Sequence, residues 1–253
     1  MGSDISGKRK RILDVPVDLI NRQEAFDIFL KLMEKEGCSL IVTPNSEIVV
    51  AASKDEEFKK IIESADLIIP DGIGLVYASR ILGMPLKERV TGIDFLNDIL
   101  AYLAKTEKSI FLFGSKPGVA EKAGEKMKLK YPGLKVAGTH NGYFKKEEES
   151  GIVDMINNSG ADFLCVALGF PKQEKFIGTY KERLAPRVAV GVGGSLDVWA
   201  GTLKRAPDFY INHGLEWLYR LIQEPSRYKR MIVLPIFMLK VIANGRGGKK
   251  HGS

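Results

Sequence analysis

From Ser39 onward the chain alternates short apolar, β-rich runs with segments of helical period, and this rhythm constrains the fold more than any other feature of the sequence. Residues 39–42, 67–69, 109–113, 135–137, 162–168 and 188–192 read as strands, most of them continuously apolar, as strands covered on both faces are. Helix signals lie between them. Asn45 or Ser46 can cap a helix carrying Ile48, Val49 and Ala52 on one face, and an apolar helix follows Pro70-Asp-Gly-Ile-Gly74 through Ile81. Residues 94–105 place Phe95, Ile99 and Tyr102 at helical spacing. Further helices run from the Gly114-Ser-Lys-Pro-Gly118 turn to Lys130 and over residues 147–158, and Pro171 stands at another helix start. Strands and helices in this order predict an α/β protein, a Rossmann-like parallel sheet flanked by helices on both faces. Ligands of such sheets bind outside the carboxyl ends of the strands, which directs attention to the loops at Thr43, Asp71, Gly114, Gly138, Gly169 and Gly193.

Charge marks out a second region. The 253 residues carry a net charge of +7, yet residues 1–224 hold 31 bases and 31 acids. The whole excess comes from Arg227, Lys229, Arg230, Lys240, Arg246, Lys249 and Lys250. A neutral body is a poor nucleic-acid surface, so no nucleic-acid partner is expected, whereas basic residues around the apolar run 231–242 suggest an anionic membrane surface. That run is shorter than the roughly 20 residues needed to span a bilayer, and Lys240 interrupts it, so it would lie on a membrane rather than cross it. The competing reading packs this segment on the core as a C-terminal helix with a basic end. Pro235 and the glycines beyond Asn244 predict an appendage that is not one continuous helix.

The expected organisation is an N-terminal tail (1–11), an α/β catalytic domain (12–210) and a helical, membrane-associating appendage with its basic tail (211–253). Lys8-Arg-Lys-Arg11 is followed by no long apolar segment, so a secretory signal is not expected; the predicted location is cytoplasmic, peripheral on the inner face of the cell membrane. Cys38 and Cys165 lack C-x-x-C spacing and read as buried free thiols. An exposed apolar appendage also predicts homo-oligomers away from a membrane.

The loops can be tested against known chemistries. No G-x-x-x-x-G-K-[ST] occurs, and Gly191-Val-Gly-Gly-Ser-Leu196 lacks the third glycine of a dinucleotide fingerprint. The Gly114 turn is either an anion-binding helix start or simply a tight strand-to-helix turn. His140, His213 and His251 are scattered and there is no Asp-x-Asp, so neither a metal nor a cofactor is expected. A diphosphate substrate would then need cationic side chains and helix N-termini. Asp71 ends an apolar strand and precedes Gly72 and Gly74; it fits a general base with a raised pKa and, equally, an N-cap of the next helix. Arg80, Lys87, Glu88 and Arg89 read as a solvated face, and Lys172-Gln-Glu174 as a helix start. Arg220, Arg227 and Arg230 would form a diphosphate-binding cluster if aligned, although Pro225 breaks the helix between them.

Eight motifs, in order from about residue 12 to residue 230, resemble the WecG/TagA/CpsF glycosyltransferase family. They are Thr43-Pro-Asn-Ser-Glu47, Pro70-Asp-Gly-Ile-Gly74, Arg89-Val-Thr-Gly-Ile-Asp94, Phe113-Gly-Ser-Lys-Pro-Gly118, Gly142-Tyr-Phe144, Leu168-Gly-Phe-Pro-Lys-Gln-Glu174, Gly191-Val-Gly-Gly194, and Arg205-Ala-Pro207 with Gly214-Leu-Glu-Trp-Leu-Tyr-Arg220 and Glu224-Pro-Ser-Arg227. The branch it looks most like begins the linkage unit of wall teichoic acid. The resemblance implies an inverting, metal-independent transfer of N-acetylmannosamine (ManNAc) from a UDP-sugar donor to undecaprenyl-diphosphate-GlcNAc. It implies Asp71 as general base, with Thr43, Asn45 and Gln173 lining the pocket and Arg89 binding phosphate or steadying the departing UDP. Gly72, Gly114, Lys172, Glu174 and Gly193 lie in the same motifs and are expected substrate contacts. Arg220, Arg227 and Arg230 are implied to close over the site, which would couple membrane anchoring to catalysis. The alternatives are a relative using UDP-ManNAcA or another UDP-hexose, and a non-catalytic nucleotide-binding membrane module.

Overall fold

The structure, a computed structural model, describes residues 7–225, 228 and 232–247. It opens with a hairpin, β1 (Arg9–Ile12) and β2 (Val15–Asp18), followed by α1 (Arg22–Met33). Then come β3 (Ser39–Val42), α2 (Ser46–Ala52), α3 (Glu56–Glu63), β4 (Leu67–Ile68), α4 (Ile73–Ile81) and α5 (Gly92–Leu103). The second half contains β5 (Ser109–Gly114), α6 (Val119–Lys130), β6 (Lys135–His140), α7 (Glu149–Asn158), β7 (Phe163–Ala167), α8 (Lys172–Tyr180), β8 (Val188–Gly191) and α9 (Ser195–Ala200). The chain closes with α10 (Asp208–Asn212), α11 (Glu216–Gln223) and α12 (Val233–Gly247).

Six strands form one parallel sheet in the order β4-β3-β8-β7-β5-β6. Period-2 alternation sends neighbouring residues to opposite cores. Leu40, Val42, Phe111, Phe113, Leu164 and Val166 meet α2, α3, α4, α7, α8 and α12 on one face, while Ile41, Ile110, Leu112, Phe163, Cys165 and Val190 meet α1, α5, α6 and α9 on the other. This is the expected α/β sandwich, and because β3, β7 and β8 are buried throughout, the loops at their carboxyl ends start from fixed points. Strand β6 outruns its expected end at residue 137: a register shift between Ile110 and Phe111 lets the pairing continue to His140, with Gly138 opposite Phe111. A Cβ on Gly138 would stand 2.5 Å from the Phe111 ring, so only glycine fits there.

Three expectations about boundaries change. Residues 9–11, expected in a tail, belong to β1, because the Arg9 guanidinium takes both oxygens of the fully buried Asp18 (2.7 and 3.0 Å). Asp18 in turn accepts from the Ile68 N–H at 2.8 Å, tying the hairpin to the sheet edge. The boundary expected at 210/211 falls inside α10. The appendage is not one continuous helix, as expected, since α11 ends at Gln223 and α12 starts at Val233, but Pro235 is not what breaks it: α12 runs through Asn244 and Gly245, and Pro235 is its third residue, where no intrahelical partner for its missing N–H is required.

Helix α12 packs on the core, as the competing reading of the C-terminal run expects, and keeps one apolar side uncovered. Phe237 and Val241 are fully buried against the body, whereas Ile236, Leu239 and Ile242 on the other side are exposed. Lys240, expected to face lipid, instead donates to Ser53 Oγ at 3.0 Å, at the C-cap of α2. Among the described residues no helix is long and apolar enough to cross a membrane. Cys38 and Cys165 are buried free thiols, and burial pushes both upward, Cys38 to about 12.

Candidate active site

The loops after β3, β4 and β8 open into one cavity of about 300 Å³ at the carboxyl end of the sheet. Asn45 is the residue that caps α2, its Oδ1 accepting from the Ile48 N–H at 3.0 Å. The Asp71 N–H donates to the Pro44 carbonyl at 2.8 Å, which fastens the β4 loop to the β3 loop. The cap position of α4 is Gly72, at φ 92°, a left-handed conformation that glycine adopts without strain. Asp71 therefore caps nothing in α4. Its Oδ2 accepts instead from the N–H of Gly92, the first residue of α5, at 3.3 Å. A Cβ on Gly92 would stand 3.6 Å from both Asp71 Oδ2 and Thr43 Oγ1, so these side chains converge over the start of that helix.

Burial pushes the Asp71 carboxyl above the usual carboxylate range, and Glu216 adds to the push. Arg89, the Gly92 N–H and Arg220 oppose it. Arg89 departs from the solvated-face reading. It lines the cavity with its side chain 20% exposed, pairs through Nη2 with Glu216 of α11, and reaches the Ile211 carbonyl at 3.4 Å through Nη1. Its Nε is buried and has no hydrogen-bond partner among the described residues. Lys87 and Glu88 do lie outside, paired with Glu24 and with the Arg22 N–H.

Gln173 enters from the first turn of α8. Its Oε1 accepts from the Gly193 N–H at 3.0 Å, and its Nε2 donates to Glu174 Oε1 at 2.8 Å. Thr43, Asn45, Asp71, Gly72, Arg89, Gln173, Gly193 and Arg220 thus all line one cavity. Gly114, Lys172 and Glu174, expected as substrate contacts, do not line it. A Cβ on Gly114 would stand 2.5 Å from the Ala167 backbone, so its glycine serves the close approach of β5 to β7, and the adjoining Ser115 hydroxyl bonds Asp197 at 3.0 Å. Lys172 is exposed, and Glu174 is buried behind Gln173. Arg227 and Arg230 lie outside the described residues.

Sequence reasoning missed Glu216, Trp217 and Leu234 as cavity-lining residues. Glu216 stands in the Gly214-Leu-Glu-Trp motif, but nothing local shows that its partner is an arginine 127 positions earlier. Leu234 was hidden in a run that reads as lipid-facing. The arrangement joins a carboxylate of raised proton affinity to a hydroxyl, two carboxamides and two guanidinium groups. That set can take a proton from an attacking hydroxyl and stabilise a departing anion. Among the described residues no cluster of three or more His, Cys, Asp or Glu could hold a metal ion.

The sequence profile of the glycosyl transferase WecG/TagA/CpsF family matches residues 10–251. A Bacillus spizizenii protein named N-acetylglucosaminyldiphosphoundecaprenol N-acetyl-beta-D-mannosaminyltransferase is 39% identical over 218 residues, 86% of this chain and 84% of its own. Proteins of the same name from Bacillus subtilis (39% over 211 residues) and Staphylococcus aureus strain MRSA252 (37% over 210) each match across 83% of this chain and 82% of theirs. The chain belongs to the WecG/TagA/CpsF family of glycosyl transferases.

Proposed function

We propose that this enzyme transfers ManNAc from UDP-ManNAc to undecaprenyl-diphosphate-GlcNAc with inversion, forming the ManNAc-β-1,4-GlcNAc linkage unit of wall teichoic acid. The observation that carries this reading is the placement of Asp71 and Arg89 on the same cavity, one able to accept a proton and the other an anion. The relatives' shared name supplies the transferred sugar and the lipid-linked acceptor. Asp71 takes the proton from the acceptor O4 as that oxygen attacks the anomeric carbon; the bond to UDP breaks on the opposite face. Arg89 and Arg220 meet the diphosphate, whose charge grows as it leaves. Thr43, Asn45 and Gln173 orient the sugar through hydrogen bonds.

A lipid-linked acceptor requires the site to work at a membrane surface, and α12 suits that. Leu234, near its start, lines the cavity while Leu239, about one and a half turns further on, is 68% exposed. The same helix therefore touches both site and surroundings, and we assign it the contact with anionic lipid on the inner face of the membrane, with self-association of the exposed face when no membrane is present. Purified enzyme, a lipid-diphosphate-GlcNAc analogue and a panel of UDP-sugars test the assignment. ManNAc transfer with release of UDP is expected, and transfer only from UDP-ManNAcA or UDP-glucose would overturn it.

A further inference from the structure

Glu174 is 2% exposed and has no cationic partner among the described residues, which is an expensive place for a carboxyl group. Its Oε2 is buried with no hydrogen-bond partner among the described residues, and its Oε1 accepts from the Gln173 carboxamide at 2.8 Å, with the residue's own backbone N–H also facing the carboxyl. That carboxamide is held at both ends, since its oxygen accepts from the Gly193 N–H at 3.0 Å. A primary amide carries an acceptor at one end and donors at the other. Rotating it by 180° would set its NH2 against the Gly193 N–H, losing that bond in every protonation state, and its oxygen against the Glu174 carboxyl, losing the second bond when that carboxyl is ionised. Backbone packing adds to the clamp, because a Cβ on Gly191 would stand 2.4 Å from Gln173 Nε2, so the amide lies against bare backbone. Nε2 makes one hydrogen bond among the described residues, which leaves its second N–H for a ligand in the cavity that Gln173 lines.

We propose that Glu174 is a positioning residue for the transfer reaction: it fixes the Gln173 carboxamide so that the amide oxygen holds the Gly193 loop and the remaining N–H serves the bound sugar. Glu174 itself touches no substrate. Its kinetic consequence rests on the glycosyl-transfer reading of the cavity, whereas the fixed amide does not.

The test compares Glu174→Gln, which keeps a carbonyl acceptor at the same place, with Glu174→Leu, which keeps the volume and removes the acceptor. Both full-length variants are assayed with UDP-ManNAc and the lipid-diphosphate-GlcNAc analogue, and the Gln173 side-chain N–H signals are followed by 15N NMR exchange. Glu174→Gln is expected to keep kcat within about threefold and the Gln173 amide protected. Glu174→Leu is expected to lower kcat about tenfold or more at a donor KM changed less than about threefold, the size of effect one lost hydrogen bond at a reacting centre has. Its Gln173 N–H signals should exchange faster. Unchanged kcat and exchange in Glu174→Leu would overturn the proposal, as would a Glu174→Gln enzyme that loses activity and amide protection; the second result decides the matter even if the leucine variant does not fold. Absence of turnover in the unmodified enzyme would refute the donor assignment instead, and amide exchange would still decide whether Glu174 fixes Gln173.

Discussion

Around Asp71 the chain is pinned by strands whose side chains are fully buried, whereas no residue of α10 or α11 is buried at all. The first region is held by close packing and the second by polar ties: Arg89 to Glu216, Arg205 to Asp94 at 2.7 Å, and the Gln223 carboxamide to the Lys204 backbone. Packing of the first kind gives way only when the domain unfolds; ties of the second kind open locally, at little cost and without disturbing the core. The proposed proton acceptor, Asp71, thus sits on the rigid side, and the groups assigned to the diphosphate straddle the two. A transferase that must admit a long lipid-linked substrate and release UDP gains from that division, because its base stays placed while its phosphate side opens.

The strongest way to break this comparison is to change the rigid side chemically. Asp71→Asn removes the proposed proton acceptor while preserving shape; a fall in kcat of about 100-fold or more at saturating acceptor is expected, within the usual range for a general base. Near-normal turnover would remove Asp71 from that role. The next test places the same cavity in the sheet and in α12, which joins the core from outside it. Phe111→Ala in β5 is expected to cost about 3–5 kcal/mol of global stability in denaturant unfolding, the usual range for a buried phenylalanine. Phe237→Ala, equally buried, should leave the global transition nearly in place and instead expose α12 to protease, since only that helix detaches. Equal losses of global stability would show α12 to be an integral part of the core.

A pH series sharpens the comparison from within α8. Burial pushes Glu174 from an ordinary 4.5 to about 7. Between those values the folded chain holds a proton that the unfolded chain has lost, so stability falls as pH rises through this window and then levels off. Glu174→Gln should abolish that slope and leave the protein more stable at pH 8 by on the order of 3 kcal/mol, as followed by urea unfolding from pH 4 to 9. The smallest effect belongs to the surface of α12. Leu239→Asn is expected to weaken binding to anionic vesicles by about tenfold while leaving the unfolding midpoint unchanged, because the side chain is 68% exposed and packs on little. Vesicle binding as tight as that of the unmodified enzyme would move the lipid contact elsewhere.

Much of the sheet was legible because its strands are short apolar runs bounded by glycine, proline and capping residues, and Ser39–Val42 was read to the residue. The hairpin at Arg9 was not, since β1 is a basic run whose strand character depends on a buried aspartate further along the chain. The site divides in the same manner. Asp71 announced itself at a strand end, and the cap reading of Asn45 holds for α2, whereas the pocket positions of Asn45 and Gln173 were legible only through the family resemblance. Gly114 and Lys172 occupy equivalent-looking turns and do not line the cavity, because spacing cannot tell which loops of a sheet lean over the same crevice.

By itself, then, the sequence determined the layering and the parallel sheet, since apolar periodicity and local turn chemistry act over a few residues and survive as pattern, while the family came from the resemblance of eight motifs in register. Only the tertiary structure decided that Asp71 meets the start of α5 instead of capping α4, that Arg89 finds Glu216, and that Pro235 begins a helix rather than breaking one. Each of these rests on groups that meet only after the chain has packed, or on where a helix starts. Hydrogen bonds and ion pairs are short-ranged, so their partners depend on the folded backbone and not on distance along the chain.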